Sequence, residues 1–318
     1  MSTTVIQAQA TSLNRHAVTY ASEMKQELRQ SSEFERMLTP RACDHTYSAP
    51  NVSISEIVQQ YQWKFTPKSS ATFDAVDNTL QKIKIDVNFT ADDLEKFWDS
   101  WKVEWHELGK DPMEWSFHRY LYDVVITPKI IEEMNRNAWA GEYVAPTDGV
   151  AGVSINSVDG YRKKIADAIT AGKVVPITTG ALVDSTMVNQ TETFTDSIPQ
   201  PYRDLPGVIK MSKTHARNYY RDYRANFGTG NGVINPNDEL RIDATQKRIE
   251  GVAAMEGSDR MIFVPTNSRN MIWGTRKGYS SFPMIRWEKF ERSIKGLAEF
   301  YRFYGFEYWN NLFVNDQV

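Results

Sequence analysis

The side chains able to do chemistry are few and widely spaced. The 318-residue chain holds five histidines, His16, His45, His106, His118 and His215, and one cysteine, Cys43. No two histidines are four residues apart, the spacing that sets two imidazoles on one helix face for zinc. His106 and His118 stand among tryptophans and read as hydrogen-bonded packing residues. Cys43 beside His45 resembles a thiol next to a base. It falls in a polar loop with no orienting third group, which argues against a nucleophile. A single cysteine excludes an internal disulfide framework and a cysteine-rich zinc site.

The remaining motifs are equally bland. Gly228-x-Gly230-x-Gly232 is glycine-rich, but it follows a helical segment and leads into Val233-Ile234-Asn235-Pro236. A phosphate loop instead follows a strand and opens a helix. No Gly-Lys-Ser/Thr sequence and no Gly-x-Ser-x-Gly elbow occurs. Asp92-Asp93 suits a helix N-terminus, and Glu132-Glu133 a solvated helix face. The third acidic pair is Asp238-Glu239. Arg217, Arg221 and Arg224 form a short basic stripe that reads as a solvated face. The sequence therefore assigns no catalytic, cofactor-binding or metal-binding residue, and no cofactor.

Net charge is -3, so the chain as a whole is not suited to binding nucleic acid by counterion release. Composition, with 41% hydrophobic and 24% charged residues, fits a folded protein. The N-terminus lacks a basic stretch before an apolar one, and no apolar run approaches a membrane span. The expectation is a protein made and used in cytoplasm. Aromatics cluster, with five tryptophans between Trp98 and Trp139 and eight aromatics between Phe300 and Phe313. Such clusters mark a packed core or a large interface.

The elements follow from periodicity. Residues 1–39 lack Gly and Pro, and Ala17, Val18, Ala21, Met24 and Leu28 share one helical face, with Pro40 as the stop. That stripe is too thin to build its own core. Residues 41–52 read as a loop. Ser53 and Glu56 have capping-box spacing ahead of a short helix through Gln60. Tyr61, Trp63 and Phe65 alternate like a strand, and Ile83, Ile85, Val87 and Phe89 alternate strictly, so 60–89 reads as a long two-stranded excursion. Thr90 and Asp93 cap a helix carrying Leu94, Phe97, Trp98, Trp101, Trp105 and Leu108, closed by Gly109. Asp111-Pro112 opens a long spine from about 112 to 140, with Pro128 as a kink or restart.

Residues 141–157, with Gly141, Pro146, Gly149 and Gly152, form a connector. Helices are predicted near 158–171 and 184–197, a strand over Gly207–Met211, and a helix capped by Ser212 through about Asn226. Strands follow at Ile249–Met255, Arg260–Val264, Asn270–Thr275 and from Met284 toward Tyr308. No internal repeat or low-complexity tract is present.

In this order, four segments resemble the Hong Kong 97-type major capsid proteins of tailed bacteriophages. They are the return strand from Ala71 through Val87; the spine end Asn137-Ala138-Trp139-Ala140-Gly141 with Thr147-Asp148-Gly149; Val208-Ile209-Lys210-Met211-Ser212 before a helix; and the tail from Arg302 to Trp309 through Val314-Asn315. The resemblance covers about 50–315. It implies an α+β fold with an N-terminal arm (1–49), an extended loop hairpin (50–82), a peripheral domain with a spine helix (83–150), an axial domain (151–248), and return strands completing both (249–318).

The resemblance further implies a structural subunit, not an enzyme. Its hexamers and pentamers would form an icosahedral shell around double-stranded DNA without sequence-specific binding or membrane contact. Portal, scaffolding and decoration proteins would be its partners. It would assemble in the bacterial host cytoplasm and reside in the virion. Expansion of a precursor shell is implied in the same way. The first 49 residues are too short for a fused scaffolding segment, which would leave any scaffold on a separate protein. The lysine and asparagine of the cross-link some members form are not identifiable, so no cross-link is carried over. Three other readings stay open: another virion protein of tail or head-completion type, a cytoplasmic α/β enzyme with its site in 151–245, and a DNA-binding regulator.

Overall fold

The computed structural model describes residues 10–15, 37–53, 58–68, 72–109, 117–228, 240–242, 245–266, 269–279 and 283–317. The predicted arm stripe from Ala17 to Leu28, the Asp111-Pro112 helix start, and Gly230 and Gly232 lie outside those residues.

Sheet pairing begins with β1 (Thr39–Cys43), β2 (Thr46–Ser53), β3 (Thr72–Thr79) and β4 (Gln81–Thr90). Residues 41–52 are therefore mostly strand, where a loop was expected. Pro40 does not end a helix; it sits in β1, an edge strand, where a missing N–H costs no ladder bond on the open side. β2 and β3 form an antiparallel ribbon from Thr46↔Thr79 to Ser53↔Thr72. Residues 58–68 between them are neither helix nor strand, which corrects the Tyr61–Phe65 strand and the expected helix end at 58–60; residues 54–57 of that helix lie outside the described residues. The strictly alternating β4 does not belong to the excursion. It pairs antiparallel with β11 (Ser293–Phe306) over its whole length, from Thr90↔Ser293 to Gln81↔Arg302.

Around β11 stands a five-stranded sheet. β9 (Met271–Arg276) pairs with its second half, β10 (Arg286–Phe290) with its first, and β1 runs parallel to β9. Helix α1 (Ala91–Leu108) leaves β4 through a capping box in which Thr90 and Asp93 bond each other's backbone. Gly109 closes it at φ 63, a left-handed conformation that favours glycine. The spine combines α2 (Phe117–Tyr120), a π-helical turn (Leu121–Ile126) and α3 (Thr127–Ala140), which has Pro128 in its first turn. Pro128 follows the π-helical turn directly, and the backbone stays helical through Ile126 and Thr127, so the spine runs on past the proline, with the local widening of the turn beside the missing N–H.

The residues expected on one face of these helices make one core. Phe89, Leu94, Trp101, Phe117, Leu121, Tyr122, Ile126 and Trp287 are buried together. Ala10 and Leu13 join them, so this part of the arm lies on the core of its own body. The side chains of Trp105 and Leu108 are not among those described.

A second five-stranded sheet has the order β12-β8-β5-β7-β6. Its strands are β5 (Gly207–Ser212), β6 (Leu240–Arg241), β7 (Lys247–Val252), β8 (Ile262–Pro265) and β12 (Phe313–Val314). The strand expected through Met255 ends at Val252, and a short 3-10 turn takes over. Four more helices are α4 (Tyr161–Thr170), α5 (Met187–Asp196), α6 (Gln200–Arg203) and α7 (Lys213–Phe227). Ser212 caps α7, its hydroxyl accepting from the His215 N–H at 3.1 Å. α5 and α7 bury Met187, Val188, Phe194 and Tyr219 on Ile209, Met211 and Phe263. A third core joins the spine's end to α4 and the strand ends, through Trp139, Tyr161, Ile165, Ile262, Tyr304 and Phe306.

Candidate functional site

The reactive residue types are kept apart. Cys43 is half-buried, and burial with the neighbouring Asp44 pushes its thiol pKa up, the opposite of an activated nucleophile. His45 is exposed. His106 is also exposed, so it is not the packing residue the sequence suggested; the side chain of His118 is not among those described. His215 Nε2 lies 2.9 Å from Asp259 Oδ1 and ties the first turn of α7 to the loop before β8. Asp93 is held below the usual carboxylate range by hydrogen bonds from Thr90, and Glu132 pairs with Lys129 at 3.0 Å. Arg217, Arg221 and Arg224 are exposed on α7. Gly228 ends α7 at φ 70. Among the described residues no cluster of His, Cys, Asp and Glu could hold a metal ion, and no helix is long and apolar enough to cross a membrane.

The candidate site is the β2–β3 ribbon with the residues between its strands. Its distal residues Val58, Tyr61, Trp63 and Phe65 are 90, 88, 91 and 93% exposed. Adjacent large apolar groups left in water are the signature of an interaction surface. The sequence marks Tyr61, Trp63 and Phe65 only by their alternation, and no strand pairs with them among the described residues.

The ribbon's root, in contrast, is fixed. Arg41 Nε and Nη2 both reach Glu307 Oε1 at 2.6 Å. The Tyr47 hydroxyl donates to the same oxygen at 2.9 Å, and its ring stacks on Phe303. Asn78 is buried and donates to the Phe306 carbonyl at 3.1 Å. Asp74 pairs with Lys173, beyond α4. Glu307 is held in turn by Asn270, whose Oδ1 accepts from the N–H groups of Glu307 and Tyr308 at 3.0 and 2.7 Å. A rigid root and an apolar, solvent-facing tip can carry a contact away from the body. None of the root residues was singled out by the sequence, because each acts on a partner far along the chain.

A ribbon at the root of a β11-centred sheet, a spine beneath it and a second α/β sheet define the Hong Kong 97-type capsid fold. Solved structures with this fold match nearly the whole chain. A chain of the satellite phage P4 procapsid including the size determination (Sid) protein is 12% identical with a TM-score of 0.56, covering 93% of this chain and 90% of that one. The capsid of an empty GTA particle is 8% identical with a TM-score of 0.55, covering 90% and 89%. The native GTA particle gives 8% and 0.53 over the same shares. No family model matches the sequence, and no curated protein does. The structural neighbours are thus phage and phage-like capsid proteins, and the fold is the one the four sequence segments implied.

Proposed function

We propose that this chain is a major capsid protein, a structural subunit that self-assembles into the icosahedral head shell around the double-stranded DNA of a tailed phage. The observation that carries this reading is the anchored ribbon with Val58, Tyr61, Trp63 and Phe65 in solvent, on a fold shared with capsid subunits. Four apolar side chains in water are costly for a monomer and become favourable once a neighbouring copy covers them. Heterologous contacts of this kind close into rings, here hexamers and pentamers.

The same reading divides the chain into the arm (1–49), the loop hairpin (50–82), the peripheral part (83–150), the axial part (151–248) and the return strands (249–318). It assigns no catalytic role. It places the protein in the virion after assembly in the host cytoplasm, with portal, scaffolding and decoration proteins as partners and DNA enclosed without sequence recognition.

Expression of the full chain, followed by light scattering and negative-stain microscopy, tests the proposal. Megadalton shells or capsomer rings are expected. A stable monomer or dimer at every concentration would overturn it.

A further inference from the structure

Strand β10 ends the sheet on one side, and among the described residues the side chains of Asn14 and Tyr122 bond its outward backbone groups, Asn14 taking both those of Trp287. Asn14 Nδ2 donates to the Trp287 carbonyl at 2.6 Å, and the Trp287 N–H donates to Asn14 Oδ1 at 2.7 Å. A carboxamide offers the same N–H and C=O pair as a peptide group, so Asn14 bonds the edge as a neighbouring strand would. Trp287 faces Gly296 across the ladder. Because the Trp287 backbone groups point away from β11, this is a non-hydrogen-bonded pair, and residues 285, 287 and 289 all point outward. The Ile285 carbonyl accepts from the Tyr122 hydroxyl at 3.4 Å. Lys289 is the next outward residue.

An open edge is a template for strand addition, and proteins commonly blunt such edges. This one is self-complementary. If two copies of β10 met antiparallel about a two-fold axis at Trp287, Arg286 would face Glu288 of the second copy, and the reverse. Both side chains are exposed, and within one chain they already lie 3.4 Å apart. We propose that the outer edge of β10 is a docking edge for β10 of a second copy of this chain, and that Asn14 holds it closed. Ala10 and Leu13, buried in the adjacent core, seat the guard in position. The inference rests on backbone geometry and does not depend on the capsid assignment.

Engineered cysteines test it directly. In the full chain carrying Cys43→Ser, the substitutions Arg286→Cys and Glu288→Cys place thiols that meet only when two edges pair. Two same-face strand residues in one chain lie near the limit of about 7 Å for a disulfide, with side chains side by side. Dilute protein is oxidised and run on a non-reducing gel. With Asn14 intact, no cross-linked dimer is expected; with Asn14→Ala, the dimer appears. Adding Lys289→Pro abolishes it, because proline blocks the outward N–H while leaving the β10–β11 ladder intact. Asn14→Asp keeps the acceptor, loses the donor and gives a partial yield; it replaces Asn14→Ala if that variant does not fold. Equal cross-linking with Asn14 intact, or a lowered melting temperature without any dimer, would overturn the proposal.

Discussion

Asn78 in β3 and Gly305 in β11 interlock: the Asn78 carboxamide fills the space that a β-carbon on Gly305 would occupy. From there its Nδ2 reaches the Phe306 carbonyl, and Asn78 is 1% exposed. The contact joins the contact ribbon to the longest strand of the body sheet. It sits two residues from Glu307, so two fastenings converge on residues 305–307.

Gly305→Ala is therefore an overpacking change. The new methyl group and the Asn78 side chain cannot share the site, so either the ribbon root shifts or the buried amide loses its acceptor. A loss of about 1–3 kcal/mol is expected, read from denaturant midpoints at unchanged m-value. Hydrogen exchange should rise in β2 and β3 before it rises in β5.

Glu307 supports two donors at once. Glu307→Ala should cost on the order of 2 kcal/mol, because Arg41 and Tyr47 both lose their charged acceptor in a partly buried place. The Arg41–Glu307 coupling alone is smaller, about 1 kcal/mol, since the Arg41 side chain remains about a third exposed and solvent screens it. A double-mutant cycle separates the two contributions; a coupling near zero would make the pair ornamental.

Tyr122 accepts from the Trp287 indole N–H at 2.5 Å inside the peripheral core. Tyr122→Phe leaves that N–H buried without its acceptor and should cost about 1–3 kcal/mol by thermal or chemical melting. Burial, set against the bond from Trp287, moves the phenol pKa from 10.0 up to about 12. A folded-state pKa raised above the unfolded value means the contribution is intact below pH 10 and is lost as pH rises through 12. Ultraviolet titration should show one tyrosine ionising near 12, absent in Tyr122→Phe.

The ribbon tip makes the opposite kind of prediction. Replacing Tyr61, Trp63 and Phe65 together with Ser removes groups that are almost wholly solvated. Unfolding free energy of the isolated subunit should stay within about 0.5 kcal/mol per site. Assembly, followed by light scattering, should fail or shift to much higher concentration.

Ser212→Ala removes the hydroxyl cap of α7. A loss of about 1 kcal/mol is expected. Ser212→Asp, which retains an N-cap acceptor, should recover part of it where the buried position accommodates the charge.

How much of this was legible depends on the range of the interaction. The caps of α1 and α7, the closing Gly109 and the alternation of β4 are legible in the sequence. Each is decided by residues within one turn or one strand of each other. The order of segments was enough to anticipate the fold. β1 and β2 were missed because their content, with Pro40 and Pro50, is unremarkable until β9 and β3 pair with them. Tyr61, Trp63 and Phe65 mislead because alternation describes a strand's two faces and says nothing about whether a partner lies beside it.

Local sequence thus determined where helices α1 and α7 begin and which face of β4 is apolar. Only the tertiary structure decided which strands pair, that Asn14 closes the edge at Trp287, and that Asn78, Arg41 and Tyr47 converge on 305–307. The reason is physical: caps and periodicity act over a few residues, whereas pairing and buried polar contacts join groups that only the folded chain brings within bonding distance.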